Sequence, residues 1–141
     1  MKRTTKGFSF IEVLLVVVII GILSAIAIPA LLGQKRNADL VGDAQQNTKA
    51  LQLMLETSKA DTGIYGPAGG PYTWTPQADG SYVASNTAIA PMFGVKGGSN
   101  MTYSLTIANG GLTYTLEVDD NRPGHAGKIY VADQTGKQVY P

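Results

Sequence analysis

Few side chains in this chain have the type and spacing to do chemistry. There is one histidine, His125, no cysteine and no serine in a G-x-S-x-G elbow, so no nucleophile has a complete set of partners. No catalytic residue is expected, and the chain does not read as an enzyme. One oxygen-rich cluster exists, Asp119-Asp120-Asn121, with Arg122-Pro123-Gly124 behind it. Hard cations such as calcium take several oxygens of this kind, which makes Asp119, Asp120 and Asn121 the weak candidates for metal ligands. Arg122 inside the cluster, and a spacing unlike an EF-hand loop, favour a solvated turn instead. No other cofactor is suggested: Gly63, Gly66, Gly69 and Gly70 neither follow a strand nor open a helix, so they read as turns and not as a phosphate cradle. Asn100-Met101-Thr102 fits a glycosylation sequon, a short pattern with many chance matches. The remaining reactive position is an acid where none is expected. Glu12 lies near the start of GFSFIEVLLVVVIIGILSAIAIPALL, residues 7–32.

From Val13 to Gln34 no side chain is charged. An apolar run of about 20 residues crosses a ~30 Å hydrocarbon core as a helix, so this stretch belongs in a membrane. Ahead of it stand Lys2, Arg3 and Lys6 with no acid, which keeps the N-terminus cytoplasmic and sends the rest across, N-in and C-out. A cleaved secretory signal is the alternative. Against it, the run exceeds an h-region of roughly 7 to 15 residues, and the sequence after it continues in helical style instead of opening into a cleavage site. The nearest A-x-A site, Ala25-Ile26-Ala27, lies inside the run.

An acid in a bilayer core costs roughly 2.5 to 3.5 kcal/mol on insertion scales and calls for a partner. Lys6 precedes Glu12 by six residues, which is not a same-face helical spacing. Either Glu12 stays hydrated near the interface, or its partner comes from elsewhere. Lys6-Gly7-Phe8-Ser9-Phe10-Ile11-Glu12, followed by an apolar helix with Gly21 and Pro29, resembles the class III signal of type IV prepilins and of the related type II secretion pseudopilins. Phe10 departs mildly from the leucine common there. The resemblance implies cleavage between Gly7 and Phe8 by a prepilin peptidase that also methylates the new amine of Phe8. It further implies that Glu12 pairs with the Phe8 amine of a neighbouring subunit and sets axial register, since buried opposite charges relieve each other only when paired.

The rest of the chain must position or carry that segment. It has 141 residues and a formal charge of +1, and removing Lys2, Arg3 and Lys6 leaves eight basic against ten acidic side chains. Nothing there suggests a nucleic-acid surface. Without cysteine the exported part has no disulfide to hold it.

A helix is expected from near Phe8 to Asp61-Thr62-Gly63, about 50 residues or roughly 80 Å at ~1.5 Å per residue. Pro29 should kink or loosen it, with Gly21 and Gly33 adding weakness, although a tolerated transmembrane proline is common. The resemblance adds local melting between Gly21 and Pro29 on assembly, which makes Glu12, Gly21 and Pro29 the assembly residues. Leu40, Ala44, Leu51 and Leu55, with Val41, Thr48 and Met54 beside them, form an apolar stripe on the second half of the helix.

After Gly63 the chain turns to Gly, Pro, Ser, Thr and Tyr, and GIYGPAGGPYTWTPQADGSY reads as a surface loop. Met101–Ala108 and Leu112–Val118 alternate around Asn109-Gly110-Gly111 and predict a hairpin. Tyr103, Leu105 and Ile107 should face Leu112, Tyr114, Leu116 and Val118. A shorter hairpin pairs Lys128–Ala132 with Lys137–Tyr140.

The expected fold is α+β: a long N-terminal helix, half transmembrane and half amphipathic, packed on an antiparallel sheet of about four strands, pilin-like. The expected boundaries are a leader at 1–7, a polymerisation helix at 8–34, an amphipathic helix at 35–62, a Gly/Pro-rich connecting loop at 63–100 and the sheet at 101–141. The resemblance implies the structural subunit of a type IV pilus filament, with identical subunits, the prepilin peptidase/methyltransferase, inner-membrane assembly machinery and, before assembly, lipid as partners. It would sit in the inner membrane first and in an extracellular pilus afterwards. The competing readings are the major pseudopilin of a type II secretion system, marked by calcium near Asp119, and a monomeric membrane-anchored periplasmic binding module.

Overall fold

The computed structural model describes residues 7–97, 100–136 and 138–139. The basic leader with Lys2, Arg3 and Lys6 lies outside the described residues, as do Lys137 and Tyr140 of the second expected hairpin. The chain divides between Ala38 and Asp39 into two compact units.

One helix, α1, runs Phe10–Thr62 with Glu12 in its first turn and Lys59 in its last. The helix continues through Gly21 and Pro29 in the single chain. Proline removes one backbone donor, a loss that a long helix can tolerate at a single position. The helix ends where Gly63 takes φ +85°, a left-handed backbone that costs glycine nothing.

In the second unit the buried positions of α1 are Leu40, Ala44, Asn47, Thr48, Leu51 and Leu55. Steps of three and four residues put them on one face, the stripe read from the sequence with Asn47 added. They share a core with the inner row of the sheet.

That sheet has six strands among the described residues, not about four. They are β1 (Gly69–Pro76), β2 (Tyr82–Ala84), β3 (Met101–Ala108), β4 (Thr113–Asp120), β5 (Gly127–Asp133) and β6 (Gln138–Val139). The order is β2-β1-β3-β4-β5-β6, and every pairing is antiparallel.

The central hairpin follows its alternation. Tyr103 pairs with Val118, Leu105 with Leu116 and Ile107 with Tyr114, and all six are buried. Leu112 does not join them and is 54% exposed. Asn109–Gly111 form a 3-10 turn that Leu112 closes, so the alternation starts one residue later, at Thr113.

The connecting-loop expectation is corrected over residues 69–84. Gly69-Gly70-Pro71 opens β1 through an irregularity between Gly69 and Tyr72, where Pro71 has no ladder bond to supply. At Gly70, φ is +121° and an added Cβ would stand 2.7 Å from the Leu105 carbonyl oxygen. The glycine is what lets β1 approach β3 there. Trp74 then pairs with Tyr103 and packs edge-on to Phe93, with centroids 5.2 Å apart.

The segment that carries Phe93 is pinned by Asn47. The Asn47 amide donates to the Lys96 carbonyl and the Tyr103 hydroxyl, each at 2.8 Å, and its Oδ1 accepts from the Lys96 N–H at 2.9 Å. Burial pushes the Tyr103 hydroxyl well above its ordinary value, which keeps it neutral and able to accept. Leu51 is fully buried beneath the sheet. Leu51→Ala should lower the unfolding free energy by about 2–5 kcal/mol, read by denaturant titration in detergent, and a loss under ~1 kcal/mol would contradict this packing.

Candidate assembly and processing site

Gly7, Phe8 and Ser9 precede the helix in neither helical nor strand conformation, and Phe8 is 88% exposed. Ser9 sits at the N-cap. Its carbonyl accepts from the N–H groups of Glu12 at 3.0 Å and Val13 at 3.3 Å, and its own N–H donates to Glu12 Oε2 at 2.8 Å. The carboxylate of Glu12 therefore caps the first turn of its own helix, where unpaired N–H groups and the dipole favour negative charge. In the single chain its partner is the Ser9 backbone. This is one half of a capping box, and its signal, Ser9-x-x-Glu12, is legible in the sequence.

From Val13 to Leu32, and at Ile11 before Glu12, the helix presents an uncharged, largely apolar surface. Ile11, Leu15, Val17, Leu23, Ile26 and Leu31 are all more than half exposed. The most apolar stretch of α1 has none of its residues buried, and this helix is long and apolar enough to cross a membrane. At Gly21 and Gly33 an added Cβ would meet nothing within 4 Å, so both glycines leave open space on the surface of the single chain.

The candidate cation ligands do not converge. Strand alternation puts Asp120 on the core row with Leu116 and Val118 and turns Asp119 to the other side. Asp120 is 2% exposed, and its carboxylate takes Arg122 Nε at 3.0 and 2.9 Å and Nη2 at 2.7 Å, with the Arg122 N–H at 2.9 Å. Asn121 Nδ2 donates to Thr102 Oγ1 at 2.7 Å. Among the described residues no group of three or more acids, histidines or cysteines is placed to hold a metal.

The family model described as the prokaryotic N-terminal methylation motif matches residues 2–28. The type IV narrow pilus major component of Thermus thermophilus is 34% identical, over 72% of this chain and 97% of that protein. The chain belongs to the type IV pilin family. The type IV major fimbrial protein of Dichelobacter nodosus is also 34% identical, over 74% of this pilin and 66% of that protein. The type II secretion system core protein G of Vibrio cholerae is 42% identical, over 46% of this pilin and 45% of that protein. The pilin thus spans less than half the length of the secretion proteins it matches. No solved structure gives a significant match.

In this pilin the bidentate bonds from Arg122 hold the Asp120 carboxyl below its ordinary value of 3.8. A depressed carboxyl contributes stability that is complete above the unfolded value and is lost as pH falls through the folded one. Asp120→Asn should therefore lower the melting temperature at neutral pH and flatten its acid dependence below about pH 4. Equal acid dependence in the variant and the parent would contradict the pairing.

Proposed function

We propose that this pilin is the repeating structural subunit of a type IV pilus filament. It is cut between Gly7 and Phe8, methylated on the Phe8 amine, and polymerised through the apolar half of α1. The observation that carries the reading is the alignment over 97% of a pilus major component, joined to an apolar helix surface that no described residue covers. Before assembly lipid covers that surface, with the basic leader on the cytoplasmic side of the inner membrane and the sheet on the far side. In the filament neighbouring helices cover it instead, by open head-to-tail contacts that do not close into a ring. The partners on this reading are identical subunits, the prepilin peptidase and the assembly machinery.

Glu12 has two successive roles in the proposal. In the free subunit it caps its own helix; in the filament it meets the Phe8 amine of a neighbour and sets axial register. Gly21 and Pro29 supply the weak points at which the helix loosens as it packs. We read the protein as non-enzymatic, and Asp119-Asp120-Asn121 as an ion-paired turn rather than a calcium site; Arg122 supports this by occupying both oxygens of Asp120.

One observation favours a second reading, a secretion pseudopilin: identities of 34–42% to type II secretion core proteins over their matched parts. Deleting the chain from its host separates the two, with loss of surface filaments expected and secretion intact. Secretion failure with filaments unchanged would overturn the pilus reading. Glu12→Ala should leave cleavage intact yet reduce sheared filament at least about tenfold, the penalty expected for one uncompensated buried charge. Wild-type filament yield in that variant would remove Glu12 from register setting.

A further inference from the structure

Within the second unit, the last turns of α1, residues 64–67 and the turn at 88–92 enclose an open groove of about 800 Å³. Leu53, Met54, Ile64, Ile89 and Met92 line it, and Leu53 and Met92 are 69% and 87% exposed. The 88–92 turn is closed by the Phe93 N–H on the Ala90 carbonyl at 3.0 Å, with Ala90 held at φ +48°, a backbone that side-chain-bearing residues rarely adopt.

The edge of the groove is anionic. Asp61 lines it, and Glu56 Oε1 accepts from the hydroxyl of Tyr65, another lining residue, at 3.0 Å. The cation at this edge, Lys59, is committed to the same tyrosine: Nζ donates to its hydroxyl at 3.1 Å and lies 4.4 Å from its ring centre. An apolar floor with an acidic edge fits a helix strip that carries apolar side chains beside basic ones.

The chain carries such a strip. Leu31 and Leu32 are 65% and 61% exposed, and one turn on, Lys35 and Arg36 are exposed as well. Residues four apart on a helix are neighbours, so Leu31 with Lys35 and Leu32 with Arg36 make a compact apolar-basic surface. Laying one helix face into an apolar groove is a recurrent mode of recognition. Filaments require contacts whose two halves are different surfaces of one chain.

We propose that the groove receives residues 31–36 of a second copy, Leu31 and Leu32 against Leu53 and Met92, and Arg36 toward Asp61. The inference rests on the filament reading and names one of its contacts. The contact moves two leucines from lipid to protein and gives the sheet-bearing unit a grip on a neighbour's helix.

The absence of native cysteine makes the test direct. Filaments of Leu32→Cys/Met92→Cys, sheared and mildly oxidised, should give a ladder of covalent multimers that neither single variant gives. Leu31→Cys/Leu53→Cys is the second pair if the first assembles poorly. Arg36→Asp and Asp61→Arg should each lower filament yield roughly fivefold or more, and the two together should restore it to within about twofold, the range one exchanged charge pair supplies. Normal filaments without a ladder, a ladder from Met92→Cys alone, a crosslink to a different protein, or failure of the double reversal to rescue would each overturn the contact. Absence of filaments from the unmodified chain would instead bring down the filament reading beneath it.

Discussion

The apolar surface of residues 13–32 has to be covered. Among the described residues nothing covers it: the large apolar side chains from Val13 to Leu32 stand about half exposed or more along the helix, with no charge until Lys35. At roughly 25 cal/mol per Å² of apolar area, leaving such a helix in water is prohibitive, so it lives in lipid or among other helices. The one acid at its edge has to be compatible with both. Capping its own first turn is how Glu12 meets that requirement in the free subunit, because the Ser9 N–H needs an acceptor as much as the carboxylate needs a donor.

The sheet-bearing unit answers a different constraint, stability without a disulfide. Its core is aromatic and close-packed: Tyr103, Leu105, Leu116, Val118 and Tyr130 are sealed beneath Ala44, Leu51 and Leu55. Two buried polar groups organise its ends. Asn47 ties the 93–96 segment to the helix, and Asp120 ends the core row of β4 by bonding Arg122. Each is satisfied by partners, which is what allows a polar side chain to sit there. Burial also pushes the Tyr114 hydroxyl up to about 12, so it stays neutral across the ordinary pH range.

How far the sequence could be read depended on how local each signal was. The long helix, its apolar stripe and the β3–β4 hairpin follow from periodicity within a few residues, and all three are present. Strand β1 was missed because its glycines and proline argue against a strand, while what makes it one is the distant edge of β3, reached through the close approach at Gly70. Asn47 was invisible for the same reason: its partners are Lys96 and Tyr103, far along the chain. Arg122 stood out in the sequence as a cation inside the acidic cluster, but its pairing with Asp120, two residues away, needed the strand to show which face Asp120 takes. The capping box at Ser9 and Glu12 was local and legible, and was passed over in the search for a partner further away.

Everything proposed for this chain depends on its being processed at Gly7 and built into a surface filament. Intact mass and N-terminal sequencing of protein sheared from the cell surface tests it most directly. Filaments whose subunits begin at methylated Phe8 are the expected result. Subunits that begin at Met1, or the absence of the chain from sheared filaments, would contradict it.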